Sequence, residues 1–119
     1  MSLRVLLVED EPLLAFDLAQ HLSDAGFSVV GPAGSVARAL GLIITVGCDV
    51  AVLDVNLGRE TAEPVARELK RLGTPFVTLS GYSSDQHPAV FQFGPSLTKP
   101  ARPDELIAIL RGLPTAMNC

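Results

Sequence analysis

The feature that most constrains this chain is a set of short, near-continuous apolar runs: Val5-Leu6-Leu7-Val8, Val50-Ala51-Val52-Leu53 and, apolar except for Thr78, Pro75-Phe76-Val77-Thr78-Leu79. A strand with one wet face alternates apolar and polar residues, so runs this continuous belong to strands covered on both faces. Longer segments of helical period lie between them. After Pro12, the residues Leu14, Leu18 and Leu22, with Ala15, Ala19 and Ala25 beside them, recur along one face and stop at Gly26, as an amphipathic helix does. Strands alternating with helices are the pattern of βαβ units around a parallel sheet. Five such pairs are counted, which predicts a doubly wound α/β fold.

The other elements follow from local chemistry. Phe27 to Val30 reads as the second strand, Gly31 to Gly34 as a tight turn, and Ser35 as the cap of a helix over Val36 to Val46. Asp49 to Leu53 is the third strand, running into Asp54. Pro64 opens a helix through Val65, Leu69 and Leu72, closed by Gly73. Pro75 to Leu79 is the fourth strand and ends at Ser80-Gly81-Tyr82. Between Ser83 and Pro95 the prolines Pro88 and Pro95 leave room for a turn or two of helix. Phe91 and Phe93 there are expected to cover core. Ser96-Leu97-Thr98 is a short fifth strand before Lys99-Pro100. The last helix starts at Pro103, with Asp104 and Glu105 near its positive end and Leu106, Ile107, Ile109 and Leu110 available for burial.

Composition narrows the function. A chain of 119 residues with 48% hydrophobic content can build a core without staples, and no repeat or linker divides it, so one domain over residues 1–119 with no effector domain is expected. Thirteen acidic residues against nine basic ones give a formal charge of −4, and no Lys/Arg cluster could track a phosphate backbone. Direct nucleic-acid binding is not expected. The two cysteines, Cys48 and Cys119, form neither a disulfide framework nor a metal-ligand spacing. No apolar stretch reaches membrane-spanning length, and a cytoplasmic address is expected.

Chemistry-bearing residues collect where the strands end. In an open parallel sheet the carboxyl ends of the strands are where ligands bind. The first strand delivers Glu9, Asp10 and Glu11, the third Asp54 with Asn56 two residues on, the fourth Ser80, and the fifth Lys99. Clustered carboxylates repel unless a cation sits among them, and oxygen donors without His or Cys select a hard ion such as Mg²⁺. A carboxylate beside such an ion stays ionised and can act as a nucleophile, so Asp54, fixed at a strand end, is the candidate phosphoacceptor. Lys99 would neutralise phosphoryl charge from the other side. Ser80 would hydrogen-bond a phosphoryl oxygen and draw its loop inward.

These residues, in this order, make the chain resemble the response-regulator receiver domains of two-component signalling, from Arg4 to about Leu113. The matching features are Leu-Leu-Val-Glu9-Asp10-Glu11, Val-Leu-Asp54-Val-Asn56-Leu, Ser80-Gly81 and Lys99-Pro100. The resemblance implies a flavodoxin-like (βα)5 fold with strand order 2-1-3-4-5. It implies Asp54 as phosphoacceptor, Asp10, Asp54 and the Asn56 carbonyl as Mg²⁺ ligands with Glu9 nearby, directly or through water, and Ser80 and Lys99 as phosphoryl contacts. A cis Lys99-Pro100 bond is also implied. The implied partners are a sensor histidine kinase or phosphotransfer protein and a downstream protein of unknown identity. Two departures stand out: Ser96 occupies the position, three before the lysine, where the family usually carries a switching Tyr or Phe, and Pro75-Phe76 with Ser80-Gly81-Tyr82 is similar to a subgroup of stand-alone and kinase-attached receivers. There the segment after Gly81 is expected to carry the signal by changing order.

Two alternatives compete. An aspartyl-phosphate phosphatase would carry a second Asp two residues after its nucleophile, where this chain has Asn56. A receiver-like adaptor acting without phosphate would have no use for Asp10, Asp54, Ser80 and Lys99, though Ser96 favours it.

Overall fold

The structure, a computed structural model, describes residues 2–81 and 89–115. Its elements are β1 (Arg4–Val8), α1 (Pro12–Asp24), β2 (Ser28–Ala33), α2 (Val36–Thr45), β3 (Val50–Asp54), the short strands β4 (Asn56–Leu57) and β5 (Glu60–Thr61), α3 (Glu63–Leu72), β6 (Phe76–Ser80), a 3-10 helix (Ala89–Phe93), β7 (Ser96–Thr98) and α4 (Pro103–Gly112). Five strands form one parallel sheet in the order β2-β1-β3-β6-β7. Counted along the chain within this sheet, that order is 2-1-3-4-5, the flavodoxin-like order.

Period-two alternation sorts the apolar strand residues into two cores. Leu6, Val8, Ala51 and Leu53 face one side, where Ile43 of α2 and Val65 and Leu69 of α3 cover them. Val5, Leu7, Val50 and Val52 face the other, under Leu18 and Leu22 of α1 and Leu106 and Leu110 of α4. All eight strand residues are fully buried, which is why their runs could not alternate. Each of the valine and leucine side chains among them contributes roughly 1.5–3 kcal/mol relative to exposure. Among the described residues no helix is long and apolar enough to cross a membrane.

Three local expectations change. The second strand does not end at Val30 but runs to Ala33, through a Gly31-Pro32 bond that is cis. Pairing overrides the turn residues there. Gly31 has φ +103°, and a Cβ on it would lie 3.0 Å from the Leu7 carbonyl oxygen, so only glycine lets β2 pass this close to β1. The Glu9 N–H then donates to the Ala33 carbonyl at 2.9 Å. The second change is the antiparallel β4–β5 hairpin, which no apolar pattern announced. The third concerns the aromatics: Phe91 is buried as expected, but Phe93 is 62% exposed, with the Lys70 ammonium 3.7 Å above its ring centre.

Other expectations hold. Ser35 caps α2, its side chain accepting from the Arg38 N–H at 3.2 Å, and the Lys99-Pro100 bond is cis. Of the helical turn expected between Ser83 and Pro95, the described part is the 3-10 helix; Tyr82 and residues 83–88 lie outside the described residues, as does Cys119.

A tight backbone contact fixes the approach to β7. A Cβ on Gly94 would run into the carbonyl oxygen of Phe76, and the next residue, Pro95, accepts the Thr78 N–H at 3.0 Å. Gly94→Ala must therefore push β7 away from β6, and it is expected to cost about 1–3 kcal/mol, in the range of overpacked core substitutions. Urea unfolding of the two proteins measures this.

Candidate functional site

Strand register builds the site. Val8 of β1 pairs with Leu53 of β3, so the next residues, Glu9 and Asp54, emerge side by side at the carboxyl edge of the sheet. Ser80 of β6 pairs with Thr98 of β7, and the Lys99 N–H donates to the Ser80 carbonyl at 2.7 Å, which anchors the lysine at that same edge. Residues far apart in sequence thus meet because the sheet order makes neighbours of their strands.

Lys99 lies between two buried carboxylates. Its Nζ is 2.9 Å from Asp54 Oδ2 and 3.1 Å from Glu9 Oε1, and the Glu9 and Asp54 side chains are 1% and 6% exposed. The other oxygen of each acid is also held: Asp54 Oδ1 accepts the Asn56 N–H at 3.3 Å, and Glu9 Oε2 accepts the Glu11 N–H at 3.1 Å. Burial of the ammonium is the largest single influence on Lys99 and acts to lower its pKa. The hydrogen bonds and charges of Asp54 and Glu9 together outweigh it and hold Lys99 above the ordinary lysine value.

Asp10 completes an acidic cluster. Glu9, Asp10 and Asp54 each offer an oxygen within 4.8 Å of the others, and Asp10 is exposed while its partners are buried. Three carboxylates against one ammonium leave a formal surplus of two negative charges. Oxygen-only donors around such a surplus fit a hard divalent cation, with Asp10 on the solvent side as its way in. Asn56 is also exposed. Ser80 is buried beside the cluster's edge strand.

The structure brings the expected residues to one edge, and adds two that sequence reasoning did not single out. Gly58, in the β4–β5 turn with φ +69°, lies where a Cβ would be 3.6 Å from Asp10 Oδ2. Glu60 accepts the Val36 N–H at 2.8 Å. A glycine before a charged residue was the available signal for the turn. Cys48 lies away from the site, and burial pushes its thiol up to about 11, as befits an unreactive cysteine.

Comparison with known proteins identifies the family and the fold. The family model of the response regulator receiver domain matches residues 5–111. Over 82 residues, 67% of this chain, it is 37% identical to the transcriptional regulatory protein PdtaR of Mycobacterium tuberculosis, covering 40% of that protein. Over 74 residues, 61% of this chain, it is 30% identical to the sensory transduction protein LytR of Staphylococcus haemolyticus, covering 29% of it. The chain therefore spans well under half the length of these curated relatives. Among solved structures, SdrG from Sphingomonas melonis Fr1 is 39% identical with a TM-score of 0.78, covering 92% of this chain and 94% of that one. A CheY-like receiver domain from Methanospirillum hungatei superposes with a TM-score of 0.83 over 93% of this chain and 92% of that one. Its 21% identity speaks for the fold alone.

The Lys99 charge carries a consequence for stability. A group whose pKa is raised on folding stabilises the fold fully below its unfolded value, and that contribution is lost as pH rises through the folded value. Stability of the cation-free protein is expected to fall with rising pH across the alkaline range where Lys99 deprotonates. Replacing Lys99 leaves Glu9 and Asp54 buried without a cation, so Lys99→Met is expected to cost roughly 2–3 kcal/mol near neutral pH, less than the ~3–5 of a fully buried pair because one side is open to water. The Lys99 part of the alkaline decline should be missing in the variant. Thermal melts of both proteins from neutral to alkaline pH check both outcomes.

Proposed function

Because the chain belongs to the response regulator receiver domain family of two-component signalling, we propose that it is a phosphorylation switch whose acceptor is Asp54. The observation that carries this reading is the Asp54 carboxylate itself. It is buried at a strand end, and one oxygen is fixed by the Asn56 N–H and the other by the Lys99 ammonium. A nucleophile held at both oxygens presents one geometry to a donor.

The donor is a phosphohistidine of a sensor kinase or phosphotransfer protein. As the O–P bond to Asp54 forms, the N–P bond of the donor breaks and the departing imidazole takes up a proton. Lys99 already lies within hydrogen-bond distance of Asp54, so it can hand its hydrogen bond from the carboxylate to an incoming phosphoryl oxygen and compensate the charge there. Ser80, on the neighbouring strand, supplies a hydroxyl to the same group. Glu9, Asp10, Asp54 and the Asn56 carbonyl would hold Mg²⁺, which when bound supplies charge neutralisation on the phosphoryl oxygens. Phosphorylation then changes the affinity for a protein partner in the cytoplasm.

Turnover is not the role of this site. The position two residues after Asp54, where an aspartyl-phosphate phosphatase would carry its acid/base, holds Asn56, and the family is one of signalling switches. Incubation with Mg²⁺ and acetyl phosphate, followed by intact mass, tests the reading. The expected result is addition of one phosphoryl group, abolished by a chelator and absent in Asp54→Asn. No adduct in the wild type would favour the adaptor that acts without phosphate.

A further inference from the structure

The β4–β5 hairpin has a second attachment that the acceptor chemistry does not explain. At its start, the Asn56 N–H binds Asp54 Oδ1, and its turn at Gly58 lies against Asp10. At its far side, Glu60 Oε1 accepts the Val36 N–H at the first turn of α2, at 2.8 Å. One small element thus touches two of the three clustered carboxylates and also a helix that contributes no residue to the site.

The hairpin needs that attachment. Its ladder consists of two residue pairs, Asn56 with Thr61 and Leu57 with Glu60, and a two-stranded hairpin is marginal in water even when longer. Leu57 is buried, and the Ala62 N–H donates to the Val55 carbonyl at 2.9 Å, which pins the base. The Glu60 strand is exposed on both residues and has the α2 contact as its tether. At α2 the first amides have no partner within the helix. Ser35 takes the Arg38 amide, and Glu60 takes that of Val36. A carboxylate at this end also meets the positive pole of the helix dipole, so the bond is charge-assisted and among the stronger ones available to a surface side chain.

We infer that Glu60 is a positioning residue for the acceptor site: by tying the hairpin to α2 it fixes the backbone of Asn56, and through it the Asp54 carboxylate and the oxygen donors that a divalent cation would use. The inference rests on the cation reading above. Linkage requires the coupling to run both ways, so a cation bound at the carboxylates must tighten the Glu60 bond to Val36.

Calorimetric Mg²⁺ titration of the wild type, Glu60→Ala and Glu60→Gln, with amide exchange at Val36 followed by NMR, tests it. Glu60→Ala is expected to weaken Mg²⁺ binding roughly 3- to 10-fold, at or below the ~10-fold lower bound for direct outer partners of metal ligands, because Glu60 acts through the hairpin. Mg²⁺ should slow exchange at Val36 in the wild type and not in Glu60→Ala. Glu60→Gln keeps a carbonyl acceptor but loses the charge assistance, and should fall between the wild type and Glu60→Ala in both affinity and slowing. Circular dichroism and thermal melts establish that each variant is folded. Equal Mg²⁺ affinity of wild type and Glu60→Ala overturns the inference, and so does Glu60→Gln weakening binding as much as Glu60→Ala, since the effect is then charge alone. A wild type that binds no Mg²⁺ overturns the cation reading itself.

Discussion

The Lys99 ammonium between Glu9 and Asp54 is the contact on which the arrangement depends. Two carboxylates this deeply buried would be costly without a cation, and removing one partner of such a cluster is far more damaging than never having built it. Holding the three groups together requires a fold that brings residues 9, 54 and 99 to one place. A parallel sheet with β1 beside β3, and β7 beyond β6, does so, because every strand then points its carboxyl end the same way. The two apolar cores exist on either side of that sheet to hold the strand ends in register.

The lysine does not balance the cluster. With Asp10 added, the acids outnumber the ammonium by two formal charges, a surplus that the proposed divalent cation would offset. Asp10 is the exposed member and Glu9 the most deeply buried. Glu9, like Asp54, has both oxygens engaged by protein donors, one of them the Lys99 ammonium. Asp10 is the acid best placed to meet a cation arriving from solvent.

Legibility from sequence divides along physical lines. The main strands were readable because burial on both faces leaves a mark in each run, and the site was readable because the four strands that build it end in, or run directly into, charged or hydroxylated residues. β2 beyond Val30 was not, since Gly31, Pro32 and Gly34 are turn residues by local preference, whereas the Val8–Ala33 pairing that extends the strand is a tertiary fact. The hairpin was unreadable for the same reason, with two residues per strand and a polar face. Phe93 and Phe91 show the limit of a composition argument. Two residues apart in a 3-10 helix, they point to different surroundings, and Lys70 rather than the core covers the outer ring.

What leaves the site is the remaining step. Ser96 is exposed on the edge strand β7 and offers a small hydroxyl where the resemblance to the family implies an aromatic ring. A serine has almost no apolar surface to gain by moving between an exposed and a buried position, so Ser96 gives β7 no such device. The elements in direct hydrogen-bond contact with Asp54 are instead the Asn56 backbone and Lys99. Lys99 leads back to Ser80 through its amide, toward the segment that follows Gly81, while Asn56 leads through the hairpin to α2. Charge placed on Asp54 must disturb both bonds at once, because each carboxylate oxygen already has its donor.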